Sequence, residues 1–434
     1  MKNKVHTGGE EVLSNDYTKI AIQYEKYRKV QGVMRYVNAE SIKEQHKKQE
    51  ANKAKGIDNV SKEEYGENLE ENVEGLIKRM KVFKYRPQPV KRVYIPKPES
   101  EKKRPLGIPA YEDKLVQGVF TEVLNEIYER IFLNCSYGFR PNRDCHMAIK
   151  ELDSIIMRRK VNYIVDADIE GFFENVSHEW LRKFLEYTIE DKNFIRYIGR
   201  FLNCGIMEQG KKIVKERGTP QGGLISPVLA NVYLHYVLDL WIEKDIKRRY
   251  RGEVHEVRYA DDFVVCFEYE KEAKEFYEEL KERLAKFNLK LSEEKSKIIK
   301  FGRKSGGSKE TFNFLGFTHI NSKGRKGYYK VLHKTDQKKL KHKKQVAKQW
   351  IKENIKLPIK ELIKRLNVKL IGHYRYYGIT DNYSRIKEYK NYIQWQLYKQ
   401  LKRRSQKDKT TIEKFYKILE YNPIAEPKIY FSLW

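Results

Sequence analysis

Asp261 and Asp262 stand side by side in "RYADDFVVCF" (258–267), with Val257 and Tyr259 leading in and Phe263, Val264, Val265 and Phe267 leading out. β-Branched and aromatic residues on both sides of a short polar break predict a β-hairpin with Ala260-Asp261-Asp262 at its tip. Neighbouring like charges repel, so such a tip calls for a cation or for solvent. Asp is also a common turn residue, and the dipeptide alone reads first as a solvated turn. A second acidic pair changes the balance. Asp166 and Asp168 lie two apart in the strand candidate "NYIVDADI" (162–169), so both project to one face. If the hairpin and this strand share a sheet, Asp168, Asp261 and Asp262 converge without a partner lysine evident in the sequence. A divalent ion then compensates them. Mg²⁺ is the hard, oxygen-seeking ion that suits such a site. Two ions about 3.5–4 Å apart would clamp the attacking and leaving oxygens of an in-line phosphoryl transfer.

The composition fits that chemistry. Lys and Arg number 89 against 60 Asp and Glu, a formal net charge of +29 over 434 residues. A surplus that large argues for a polyanionic partner, with nucleic acid the first candidate and an anionic membrane surface the competitor. No run approaches the roughly 18 apolar residues of a membrane span, and "MKNKVHTGGEEVLSND" lacks an apolar signal core. Cys135, Cys145, Cys204 and Cys266 are scattered with no CxxC pair, against a zinc knuckle, a zinc-bound nuclease module or a disulfide framework. They read as reduced thiols, and the expected location is cytoplasmic, away from membranes. A basic chain with an acidic metal-binding core is what nucleotidyl transfer needs.

The elements that must position these residues follow from periodicity. "YTKIAIQYEKYRKVQGVMRYV" is a helical stretch, and "EQHKKQEANKAKG" reads as helix or linker. From "LEENVEGLIKRMKVF" (69–83) to about Gly302 the apolar pattern switches repeatedly between helix and strand, the mark of an α+β (mixed α/β) region. Leu115, Val119, Val123, Ile127 and Ile131 recur every four residues, an amphipathic helix. "KEAKEFYEELKERLAKFNL" is a second helix between the hairpin and the strand candidate "LKLSEEKSKIIKF", and "GRKSGGSKE" (302–310) is a loop and a plausible boundary. Beyond it the chain is very basic.

Five ordered blocks accompany "YADD": "RPLGIPAYEDKLVQ" (104–117), "FLNCSYGFRPNRDCHMAI" (132–149), "DADIEGFFENVSH" (166–178), "GTPQGGLISPVLANVYLH" (218–235) and "FNFLGF" (312–317). Together they resemble, in order, the blocks of group II intron-encoded reverse transcriptases, over roughly residues 58–317. The resemblance implies a right hand: α/β fingers, a palm whose small antiparallel sheet bears the acids, and an α-helical thumb. It implies an N-terminal extension over 1–57, fingers and palm over 58–315, a thumb or maturase domain over 316–400, and a basic, DNA-binding segment over 401–434. Many of these proteins end in an HNH-type endonuclease with paired cysteines. Here the chain ends at "AEPKIYFSLW" without one, which resembles the endonuclease-lacking lineages.

Roles are implied residue by residue. Asp168 and Asp261 would hold two Mg²⁺ ions, with Mn²⁺ as a substitute, together with the backbone at Ile169 and with Asp262 as the third carboxylate. Asp168 is preferred because it opens the family's "DIxGFF" pattern; Asp166 is expected to pair with a nearby lysine. Phe173 would sit beneath the sugar and exclude a 2′-hydroxyl, or else be a core ring. Lys97 and Arg104 would bind the triphosphate, or else be solvated loop charges. Gln221 in "TPQGG" would meet the incoming nucleotide, with Gly222 and Gly223 allowing close approach. Lys295 resembles the lysine that protonates leaving pyrophosphate. Phe314, Leu315, Gly316 and Arg140 would contact primer or template, although without the resemblance "FLGF" (314–317) reads as an ordinary core strand. In "LNVKLIGHYRYYGI" (366–379), basic and tyrosyl side chains could bind phosphate and stack on bases, or pack a helical core. The implied activity is RNA-directed DNA synthesis on an RNA template, the intron RNA, from a DNA primer or target with dNTPs, together with help in splicing and mobility. The alternatives are a host-adopted stand-alone reverse transcriptase and an RNA-binding maturase with vestigial polymerase activity.

Overall fold

The computed structural model describes residues 17–96, 103–208, 210–213, 217–219, 222–324, 326–404 and 410–433. Their strands, in chain order, are β1 (Val90–Pro96), β2 (Lys103–Ile108), β3 (Tyr163–Ala167), β4 (Ile206–Glu208), β5 (Lys211–Ile213), β6 (Val254–Tyr259), β7 (Asp262–Phe267), β8 (Lys297–Lys300), β9 (Thr311–Phe314), β10 (Phe317–Lys323) and β11 (Tyr329–Thr335). They form three sheets, ordered β2-β1-β4-β5, β6-β7-β3-β8 and β11-β10-β9. The right-hand expectation holds: a fingers sheet, an antiparallel palm sheet and a helical thumb.

The palm sheet is covered on both faces, which is why β7 reads as an unbroken apolar run. Side-chain alternation sends Val165, Ala167, Phe263, Val265 and Phe267 into the main core, with Phe276, Leu280 and Leu284 of the Glu270–Lys286 helix. Ile164, Val257, Val264, Cys266 and Ile299 point the other way, against Ala148, Leu152 and Ile156 of the Cys145–Arg158 helix and against Phe312 and Val331. The expected amphipathic helix spans Tyr111–Tyr128 and buries Leu115, Val119, Val123 and Ile127 completely; Ile131 lies past its end.

Three boundaries differ from the sequence reading. Residues 17–57 are no loose extension, because Ile20, Val33 and Ile42 join the main core beside the Tyr111–Tyr128 helix. The charged run there continues as helix to Lys48, capped at its start by Asn38. A division at 315/316 would cut the β9–β10 hairpin, since Phe314 pairs with Phe317 across a two-residue turn. The change of architecture comes at Asp336, whose side chain caps the Gln337–Asn354 helix. The thumb then packs Ile359–Tyr377, Tyr383–Lys402 and Ile412–Tyr421 around Leu362, Leu366, Tyr374, Ile386 and Leu397. The described part of 401–434 folds back onto it. Phe415, Ile424 and Leu433 are buried, and the amides of Tyr430 and Phe431 donate to the Gly378 carbonyl.

Candidate active site

The β6–β7 hairpin turns tighter than expected. Tyr259 pairs with Asp262, leaving Ala260-Asp261 as a two-residue turn with Ala260 at φ +58°. Asp262 is therefore the first residue of β7, and it projects to the same face as Val264. Asp166 pairs with Val264 across the ladder, so β3 delivers Asp166 and then Asp168 to that face. Past the end of β3, Asp168 is fixed through its backbone: its amide donates to Ser296 Oγ (3.2 Å) and its carbonyl accepts from the Ser292 amide (2.8 Å). Ile169 bridges Leu291.

Burial and then mutual repulsion raise the carboxyls of Asp166, Asp261 and Asp262. Asp262 is exposed at its surface, with protein packed around the carboxyl. That surrounding, with the charges of Asp261 and Asp168, moves its pKa up to about 6 against Lys339 and Lys295. Asp261 is raised by burial and by Asp168, while Arg104 and Arg258 oppose the shift. Asp166 is pushed to about 7 by burial and by the charges of Asp262 and Asp168. Lys297 faces Asp166 in the ladder, yet Asp166 makes no salt bridge among the described residues, contrary to the pairing expected for it. A lysine does reach the trio: Lys295 Nζ lies 2.6 Å from Asp168 Oδ2, a pairing that the 127-residue separation hid. One ammonium does not neutralise three or four acids, so the donor set fits divalent cations.

Around the acids the other expectations divide. Arg104, on β2, is exposed and close enough to favour ionised Asp261. Phe172 is the core ring of its pair, whereas Phe173 stays half-buried and its carbonyl accepts from the Thr219 amide. Gly222, at φ +106°, backs onto the Gly107 carbonyl so closely that a Cβ would collide, which seats that loop against β2. Lys97 and Gln221 lie outside the described residues. Phe314 is a core side chain, 3% exposed. Tyr376 Oη donates to the Leu315 carbonyl (2.9 Å), tying the turn to the thumb. Arg140 is also structural: it is buried, forks onto Glu129 (2.9 and 3.0 Å) and donates to the Leu133 and Ser136 carbonyls.

The sequence reading missed what holds the catalytic turn. Arg258 is wholly buried and forks onto Asp239 (2.7 and 2.6 Å). It also donates to Asn231 Oδ1, Ser136 Oγ and the Ala260 carbonyl (3.0, 2.8 and 3.0 Å). Asp239 comes from a π-helical stretch, His235–Asp239. Although burial pushes its carboxyl up, Arg258 and His235 beside it hold it below the ordinary range. Ser136 forms an isolated parallel bridge with Arg258 of β6, the Arg258 amide donating to the Cys135 carbonyl and the Tyr137 amide to the Arg258 carbonyl (both 2.8 Å). Gly138 meets the Ala260 amide so closely that no Cβ fits. Lys339, at the start of the thumb, favours ionised Asp262 and was likewise unforeseen.

Residues 95–319 match the family model described as reverse transcriptase (RNA-dependent DNA polymerase), and residues 339–418 match that of the group II intron, maturase-specific domain. The chain is 36% identical over 246 residues to the group II intron-encoded protein LtrA of Lactococcus lactis subsp. cremoris, covering 54% of this chain and 40% of that protein. It is 30% identical over 314 residues to protein YkfC of Escherichia coli (strain K12), covering 65% of this chain and 80% of that one. It is 36% identical over 172 residues to the putative COX1/OXI3 intron 1 protein of Saccharomyces cerevisiae, covering 39% and 20%. The match thus spans less than half the length of LtrA. No helix among the described residues is long and apolar enough to cross a membrane.

Proposed function

Since the chain belongs to the reverse transcriptase family, with a group II intron maturase-specific domain behind the polymerase region, we propose that it copies RNA into DNA and assists the splicing and mobility of an intron RNA. The observation that supports the polymerase reading is that Asp168, Asp261 and Asp262 lie within electrostatic reach of one another, with Arg104 in reach of Asp261. Asp168, the Ile169 backbone and Asp261 would hold two Mg²⁺ ions, or Mn²⁺ in their place, with Asp262 as the third carboxylate. Bound there, such ions supply Lewis-acid stabilisation of the attacking and leaving oxygens.

The protein's own groups do the positioning. Arg104 presents a guanidinium fork to the triphosphate of a dNTP, a geometry suited to phosphate. Lys295 holds its ammonium beside Asp168; exchanged from that carboxylate, it stands ready to give a proton to departing pyrophosphate. The Leu315-Gly316 turn meets the primer, and the basic thumb grips the template through its phosphates. Purified protein should extend a DNA primer on an RNA template with dNTPs and Mg²⁺. RNA binding without any extension would leave the maturase activity standing and remove the polymerase.

Two further outcomes are expected. Carboxyls whose folded pKa is raised contribute stability below their unfolded pKa, near 4, and lose it as pH rises through the folded value, here about 6 for Asp262 and about 7 for Asp166. Mg²⁺ at millimolar concentration should therefore raise the melting temperature more at pH 8 than at pH 5. An equal gain at both pH values, read by scanning fluorimetry, would show that the acids are not the source. The second concerns the sugar. Phe173→Ala removes a half-buried ring without opening the Phe172 core, and should raise incorporation of ribonucleotides relative to deoxynucleotides by about 10- to 100-fold. Unchanged kcat/KM ratios would return Phe173 to a packing role.

A further inference from the structure

Away from the acids, three polar side chains meet inside the core where the Cys145–Arg158 helix packs on the β10–β11 hairpin. Asp153 is 1% exposed, and His319 and His333, cross-strand neighbours, are 0% exposed. Asp153 Oδ1 lies 3.0 Å from His333 Nε2 and 3.9 Å from His319 Nδ1. The His319 ring is clamped flat on Phe312, at 4.5 Å and 8°, and edge-on to His333 at 4.7 Å.

The cluster is not satisfied by the protein. Asp153 Oδ2, both ring nitrogens of His319 and His333 Nδ1 have no hydrogen-bond partner of good geometry, apart from a weak approach of His319 to the Phe314 backbone. Buried polar atoms in native folds are almost all paired, and a group of orphans at one point calls for a missing partner. We propose that Asp153, His319 and His333 form a structural site for a divalent cation of the zinc class, tying the palm helix to the hairpin that leads into the thumb.

Two imidazoles and a carboxylate are a donor set that zinc takes readily, unlike the all-oxygen set at the catalytic acids. The donor atoms lie within 4.8 Å of one another. Tetrahedral zinc at ordinary bond lengths wants them about 3.3 Å apart, so adjustments of about an ångström close the site, with one position left for a solvent molecule. The weak contact to Phe314 leaves one His319 nitrogen for the metal, the usual arrangement when a backbone carbonyl orients a ligating imidazole. A second negative charge, Asp381, acts on Asp153, and Lys330 partly neutralises it (3.0 Å). Among the described residues, the other cluster with donors this close, Cys135, Asp239 and Glu256, already has Arg258 forked onto its Asp239 and needs no ion.

The test uses the full-length protein, treated with a mild chelator, exposed to zinc, desalted and assayed by elemental mass spectrometry. About one zinc per chain is expected. His333→Gln and Asp153→Asn should each lower retention to about a tenth or less, while Asp261→Asn should leave it unchanged. Retention by His333→Gln, loss in Asp261→Asn, or no stoichiometric zinc in the wild type would each overturn the site. Should the core variants fail to fold by circular dichroism, cobalt(II) in the wild type decides: visible absorption of a tetrahedral imidazole-ligated ion supports the proposal, and its absence refutes it.

Discussion

Asp261→Asn is expected to abolish primer extension and yet to raise the melting temperature. In the folded protein Asp261 is pressed by burial and by Asp168, and it adds to the repulsion that lifts Asp262. Above the folded value of about 6 for Asp262, a raised carboxyl is a cost already incurred by the folded state. An amide of the same shape removes one charge from that repulsion, for a gain of about 0.5–2 kcal/mol, typical of relieved functional strain. Activity moves the other way. An amide is a poor ligand for a hard cation, and the substitution takes out one of the few groups meeting charge in the transition state, so extension should fall by about 10³-fold or more. Extension rates on an RNA template, paired with thermal melts in chelator, separate the two effects. A variant extending at a tenth of the wild-type rate would sink the assignment of Asp261.

The second large effect lies beneath the turn. Arg258→Met leaves the Asp239 carboxyl without its main partner at a site 0% exposed. Removing one member of such a pair costs about 3–5 kcal/mol, to be read from urea unfolding. The double variant Arg258→Met/Asp239→Leu removes both charges and should recover most of that loss. It still lacks the bond from Arg258 to the Ala260 carbonyl, so the turn carrying Asp261 loses its tether and kcat should stay depressed about 10- to 100-fold. Recovery of stability and kcat together would mean that Arg258 acts through folding alone.

How much of this was legible follows from the range of each interaction. The hairpin, the strand bearing Asp168 and the Tyr111–Tyr128 helix are local patterns with a period of two or nearly four, and the chain displays them directly. The Lys295–Asp168 pair, the Arg258–Asp239 pair and the collision-close packing of Gly138 on Ala260 join residues 19 to 127 positions apart, and no local period announces them. The motif blocks misled in one way: a motif residue was taken to face the substrate. Arg140 and Phe314 instead hold the scaffold, because a site must also be built, and the residues that build it sit within the same blocks. The division at 315/316 came from the resemblance alone; composition marks a loop at 302–310, while the β10–β11 pairing runs on to Thr335.

The order β6-β7-β3-β8 has a consequence for synthesis. β3 is central in the sheet but is the first of its strands to be made, and both of its neighbours come later, at 262–267 and 297–300. A chain still on the ribosome with some 250 residues emerged carries β3 with both edges bare. Bare apolar edges pair with whatever strand they meet, and long-range closure is slow. Half-length translation products should therefore depend on chaperones to stay soluble, and the acids are brought together only once Phe267 has cleared the exit tunnel.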